Sequence, residues 1–216
     1  MVTVMSEKSK AVKRKKNPQE TRRRLLKTAI RLFSKKGFHG VSVDEIVAAS
    51  KVNKRMVYHY FGSKEDLYRE ALLEVYGKLE IQEIKVMEAS DDPEEVLRQV
   101  IANYFHFHSN NPEFVRLLLW ENLNNGKAIA KAKRLLSKHP ALTGLQKVVE
   151  RGIEQGVFRP DIDVRQLLLN IIGLSFIYHS NRYTLSQALS MNLASREVQQ
   201  EGSEAAIRLV LEGIQA

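Results

Sequence analysis

Apolar residues from Leu25 to Phe33 recur with a helical period. Leu25, Leu26, Ala29, Ile30, Leu32 and Phe33 fall within one arc of about 160°, with Arg24, Lys27, Arg31 and Lys35 on the other side. Asn17-Pro18-Gln19-Glu20 precedes this pattern with an N-cap, a proline at the first helical position and a glutamate three residues after the cap, and Gly37 is a natural stop. Ser42-Val43-Asp44-Glu45 then opens a second helix, with Ile46 and Val47 inward and an end near Ser50. Asn53 caps a third, Lys54 to Tyr60, which Gly62 breaks. Ser63-Lys64-Glu65-Asp66 starts a fourth that runs to about Met87.

The second half has a different texture. Asp91-Asp92-Pro93 opens a helical region rich in Phe105, Phe107, Phe114, Leu117 to Trp120 and Leu123. Asn124-Asn125-Gly126, His139-Pro140 and Gly156 to Pro160 punctuate it. Asp163-Val164-Arg165-Gln166 caps a helix spanning 164–183 that is apolar almost all round, and after a polar loop Ser195 caps the last helix. No alternating strand pattern of useful length and no internal repeat interrupts this order. The expected fold is all-α, with a basic disordered tail over residues 1–17, a three-helix head over 18–78 and a helical C-terminal domain over 79–216.

Charge sharpens the division. The chain of 216 residues carries a net charge of +9, but residues 1–64 hold 17 Lys+Arg against 4 Asp+Glu and the remainder 17 against 21. A basic module on a mildly acidic one implies a polyanionic partner at one end only. The absence of cysteine removes disulfides and thiolate metal sites and fits a reducing cytoplasm. MVTVMSEKSK lacks the apolar stretch of a secretory signal, and the longest apolar run, Leu167 to Tyr178, is too short to span a bilayer. The expected location is cytoplasmic, with no membrane partner.

The helices at 42–50 and 54–60 have the proportions of a helix-turn-helix, in which the first braces the second against the major groove of double-stranded DNA. Val43, Ile46, Val47, Val52 and Val57 supply apolar contacts inside, which leaves Lys54, Arg55, Tyr58 and His59 for solvent or DNA. Lys54 and Arg55 are the expected base readers, because a guanidinium can bond guanine bidentately. Ser42, Lys51, Asn53, Tyr58, His59 and Lys64 complete the DNA-binding set, mainly as phosphate contacts or at helix starts. Cations on a short helix are often only a solvated face, and a non-specific architectural DNA binder using the basic tail is the competing reading.

Thr21-Arg22-Arg23-Arg24-Leu25-Leu26, Ala29…Leu32-Phe33…Gly37-Phe38 and above all Val57-Tyr58-His59-Tyr60-Phe61…Ser63-Lys64-Glu65-Asp66-Leu67 resemble the TetR family of bacterial transcriptional regulators over about residues 18 to 78. The resemblance implies a homodimer on a palindromic operator, and repression relieved by a small molecule in the C-terminal domain. One departure stands in the turn. The family commonly carries Ala-Gly-Val where this chain has Ser50-Lys51-Val52, so the turn must be strained or different.

In the C-terminal half, Tyr104, Phe105, His108, Trp120, Asn122, Phe176, Tyr178, His179 and Tyr183 are the candidate lining of an effector site, aromatic with a few polar groups. The 164–183 helix and the final helix are expected to form an intersubunit four-helix bundle. His106 and His108 stand two apart, so their rings diverge on a helix, and no metal site, cofactor or catalytic motif is expected.

Overall fold

The computed structural model describes residues 17–132 and 140–216; the basic tail and His139 lie outside the described residues. The order is α1 (Pro18–Lys36), α2 (Val43–Ser50), α3 (Lys54–Phe61), α4 (Lys64–Met87), α5 (Pro93–Asn110), α6 (Pro112–Leu123), a short 3₁₀ turn (Ile129–Lys131), α7 (Pro140–Glu154), α8 (Val164–Ser180), α9 (Arg182–Ala188) and α10 (Arg196–Ile214). The fold is all-α. One isolated antiparallel bridge, Phe158 to Gln215, ties the chain end to the α7–α8 connection. Among the described residues no helix is long and apolar enough to cross a membrane.

The expected caps form. Asn17 Oδ1 accepts from the Gln19 amide at 3.0 Å, Ser42 Oγ from Glu45 at 3.1 Å, Asn53 Oδ1 from Arg55 at 2.8 Å and Ser63 Oγ from Asp66 at 3.0 Å. Asp163 and Ser195 do the same for α8 and α10. Each satisfies an amide that the helix itself cannot, typically worth about 1 kcal/mol. Two boundaries differ from the sequence pattern. The aromatic region breaks between α5 and α6 at Pro112, which has no amide to donate and forces Asn111 out of helical geometry (φ −125°, ψ 62°). The helix predicted to reach 183 stops at Ser180, and the polar loop after it contains the short α9.

α1, α2, α3 and the start of α4 close over Leu25, Ala29, Phe33, Ile46, Val57 and Leu67, all fully buried. In the second half α5 is central, packed against α4, α7, α8 and α10. α4 belongs to both halves. Along its length Tyr68 meets Phe33 and Phe38 of the head, Tyr76 meets Phe114 of α6, and Glu83 accepts a hydrogen bond from Tyr104 of α5. Further down, Met87 fills the space beside Gly144 of α7.

Candidate nucleic-acid interface and core polar cluster

α3 is too short to be stable alone, so its orientation comes from packing. Val57 and Phe61 are buried, Met56 and Tyr60 are half-buried, and Lys54, Arg55, Tyr58 and His59 all face solvent. The turn before it keeps a left-handed residue. Lys51 lies at φ 53°, ψ 37°, so the turn is the strained alternative: a lysine occupies a left-handed conformation that glycine adopts freely. Its side chain is exposed.

The residues expected to face DNA are not equally free. Lys54 Nζ lies 2.7 Å from Asp44 Oδ1 of α2, and the hydrogen bond to that carboxylate raises the ammonium pKa. Lys64 Nζ sits 4.3 Å from the centroid of the Phe38 ring, which draws it across the head. Ser42 and Asn53 spend their side-chain oxygens on caps. Arg55 carries no side-chain hydrogen bond or ion pair to another described residue, so it is the cation of α3 most available to a partner. Ion pairs that the sequence pattern did not reveal brace the head from behind, Arg22 to Glu70 at 2.5 Å and Lys36 to Glu45 at 2.6 Å.

Of the residues expected to line an effector site, six come together. Tyr104, Phe105 and His108 of α5 meet Phe176, Tyr178 and His179 of α8, with Phe107 and Phe114 beside them. The imidazoles of His108 and His179 are 5.8 Å apart, and His108 stacks on Phe114 at 5.8 Å with the planes inclined by 17°. His108 Nδ1 and His179 Nε2 are buried without a hydrogen-bond partner. Burial pushes the His108 pKa down to about 3, helped by His179; burial and then Arg182 push His179 down to about 4. Both rings are therefore neutral at pH 7. Burial, reinforced by the neighbouring Glu83 carboxylate, pushes the Tyr104 phenol up, so it stays a donor.

Three residues stand apart from this cluster. Asn122 is exposed, its amide donating to the Leu118 carbonyl at 2.9 Å. Tyr183 is 69% exposed at the start of α9. Trp120 packs over Gly37, where an added Cβ would come within 2.8 Å of the indole. That glycine has φ 70° and ψ 177°, a region closed to other residues, and it marks the close approach of α1 to α6. Nearby, Glu121 is 2% exposed and accepts from the Ala128 and Ile129 amides at 2.7 and 3.0 Å. Its second oxygen and the Tyr68 hydroxyl are both buried without a hydrogen-bond partner, and burial, reinforced by the Glu121 carboxylate, raises the Tyr68 pKa. Sequence pattern missed Glu83 and Glu121 because acids on helices read as solvent-facing.

Comparison with known proteins agrees with this geometry. Residues 25–71 match the family model described as bacterial regulatory proteins, tetR family, and residues 93–210 match the tetracyclin repressor-like C-terminal domain. The HTH-type transcriptional repressor NicS of Pseudomonas putida is 35% identical over 202 residues, 93% of this chain and 95% of that one. The repressor SCO4008 of Streptomyces coelicolor is 28% identical over 162 residues, 74% and 79% of the two chains. Among solved structures, the fatty acid degradation regulator FadR of Bacillus halodurans superposes with a TM-score of 0.72 at 21% identity, covering 93% of this chain and 98% of its own. FadR of Bacillus subtilis, in complex with stearoyl-CoA, gives 0.71 at 20%, covering 89% and 99%. With an exposed cationic α3 braced by α2 and α4, and family models matching both halves, this chain belongs to the TetR family of bacterial transcriptional regulators.

Proposed function

We propose that the protein is a repressor that binds a palindromic operator as a homodimer, under the control of a small molecule held in its C-terminal domain. The observation that carries this is the outward face of α3: Lys54, Arg55, Tyr58 and His59 share one side of a helix whose other side is sealed by Val57 and Phe61. Arg55 and Lys54 read base edges, while Ser42, Lys51, Asn53, Tyr58, His59 and Lys64 hold phosphates. The reading head spans residues 18–78, and 79–216 form the effector and dimer domain. Relatives of this chain are named repressors, which supports the sign of the control. A neighbour of the same fold is described with a bound small molecule, stearoyl-CoA, which supports effector control. The work is binding, done in the cytoplasm where operators are accessible, and needs no catalytic group.

The dimer is supported by one face of the second half. Leu169, Gly173 and Ile177 of α8 and Ala205, Leu209 and Gly213 of α10 are exposed along two adjacent helices, with Leu169 and Leu209 60% and 62% accessible. Nothing lies within 4 Å of where a Cβ would stand on Gly173 or Gly213, so a second pair of helices can approach closely there. The same helices from a second copy make the expected four-helix bundle, and twofold symmetry matches two half-sites about 34–36 Å apart.

Coupling runs along α4. Tyr104 donates to Glu83 on α4 and stacks near His108, so a change around the imidazoles reaches the helix whose other end carries Tyr68 and the head. An effector shifts DNA binding only through its preference for one arrangement, typically about 1–3 kcal/mol. Selection from a random duplex pool tests the whole proposal: an inverted repeat should be enriched by the native chain, and Leu209→Glu, which charges the bundle face, should lose it. Flat enrichment, or an unpaired half-site bound equally well by both, would refute it.

A further inference from the structure

A small cavity of about 210 Å³ lies where the head meets the C-terminal half. Phe38 of the α1–α2 connection and Tyr68 of α4 line it from the head, and Glu121 of α6 with Ala128 of the following turn line it from the other side. No residue of the α5–α8 aromatic cluster contributes to it. Pockets for drug-sized ligands run to about 300–1,000 Å³, so this one suits a single ring with a short substituent and excludes an acyl chain.

Two unsatisfied atoms set its chemistry. Glu121 is 2% exposed, and one of its oxygens is fixed by the Ala128 and Ile129 amides. The other oxygen is buried without a hydrogen-bond partner, and so is the hydroxyl of Tyr68, also 2% exposed. Buried polar atoms are seldom left unpaired, least of all on a charged group. The remaining ionisable neighbours are weaker. Arg69 is tied to Asp66, while Glu65, Lys127, Lys131 and His39 are exposed, where water and salt screen them. Glu121 is the charge shielded from water, so it decides the sign of the guest. The aromatic wall also accepts a cation, since the Lys64 ammonium already lies 4.3 Å from the Phe38 centroid.

We propose that this cavity is a second effector site, separate from the α5–α8 cluster, and that it takes a small aromatic primary amine. The ammonium donates to the free Glu121 oxygen and to the Tyr68 hydroxyl oxygen, and the ring lies beside Phe38. Control passes through Phe38, which lines the cavity, meets the Tyr68 ring at 5.2 Å and carries Lys64, an expected phosphate contact. An occupant that shifts Phe38 repositions Lys64. This control rests on the proposed reading of DNA; binding of the amine does not.

The test uses the full chain with benzylamine and its neutral counterpart benzyl alcohol, read by calorimetric titration and thermal shift. Benzylamine should raise Tm and bind about tenfold or more tightly than the alcohol, the mark of a charge-assisted bond. Glu121→Gln keeps an oxygen for the two amides but presents an N–H donor to the guest, so that preference should vanish. Ala128→Leu fills the cavity from its wall and leaves the carboxylate in place. It should lose benzylamine binding, and it localises the site even if Glu121→Gln fails to fold. No binding, equal binding of amine and alcohol, a preference that persists in Glu121→Gln, or binding that survives Ala128→Leu would overturn the proposal. With a duplex recovered by selection, benzylamine should change DNA affinity by about fivefold or more, and the duplex should change benzylamine affinity by the same factor. Binding without that coupling would overturn the effector role. A chain that binds benzylamine yet enriches no inverted repeat would sink the DNA reading and leave the amine site standing.

Discussion

Lys51 is the sharpest place to perturb this molecule, because one residue carries both a backbone strain and a charge. It sits at φ 53° and ψ 37° in the turn between α2 and α3. A left-handed conformation costs a non-glycine residue about 1–2 kcal/mol. Glycine removes that cost but loses about 0.5–1 kcal/mol more to chain entropy on folding. The net expectation for Lys51→Gly is a gain of about 0.5–1 kcal/mol, or about 1–4 °C in Tm for a chain of this size. Lys51→Ala keeps the strain and removes only the exposed ammonium, so its Tm should match the native protein. Both substitutions should flatten the salt dependence of operator binding equally, by about 0.9 in log–log slope per subunit, if Lys51 meets a phosphate. The assays are thermal or urea denaturation and DNA titrations over a series of salt concentrations. A glycine variant no more stable than the alanine variant would refute the strain argument. An unchanged slope in both would remove Lys51 from the DNA-contacting set.

Four further outcomes are expected. Gly37→Ala should destabilise by about 2 kcal/mol or more, since φ 70° with ψ 177° suits glycine alone and the new Cβ meets Trp120; urea unfolding reads it, and a neutral result would show that α1 and α6 can part cheaply. Asp44→Asn should strengthen DNA binding by releasing Lys54 from its ion pair, with little change in Tm; weaker binding would mean Asp44 orients the lysine productively. Lys64→Ala should weaken binding to all duplexes and lower the salt slope, and an unchanged slope would leave Lys64 as a ring contact of Phe38. Stability should fall as pH drops from about 6.5, where the unfolded histidines begin to bind protons, toward the folded values of about 4 for His179 and about 3 for His108. His108 contributes at most about 1.4 kcal/mol per pH unit over that window, and His108→Phe should flatten the profile between pH 6 and pH 5 in proportion.

The head was legible in the sequence because its signals are local. Caps at Asn17, Ser42, Asn53 and Ser63 and glycines at 37 and 62 each act within four residues, and all stand where expected. The break at Pro112 was also written locally, yet continuous aromatic content on both sides masked it. The short α9 could not be read, since none of its residues is buried and no side chain caps its start. Contacts between distant segments were the main omission. Nothing in the spacing of Glu83 and Tyr104, or of Gly37 and Trp120, announces that they meet. The polar cluster was half legible: residue type picked out aromatics and histidines that α5 and α8 bring into contact, whereas Trp120 packs on Gly37 and Asn122 and Tyr183 are exposed, placements set by packing that residue type does not encode.

The most direct measurement is a comparison of the DNA sites enriched from one random pool by the native chain and by Arg55→Ala. With Arg55 facing a base edge, the variant should recover the same inverted repeat with preference relaxed at one symmetric pair of positions, a loss of about 1–3 kcal/mol in discrimination there. Uniform weakening, with every position of the recovered site unchanged, would contradict the claim that the outward face of α3 reads the bases.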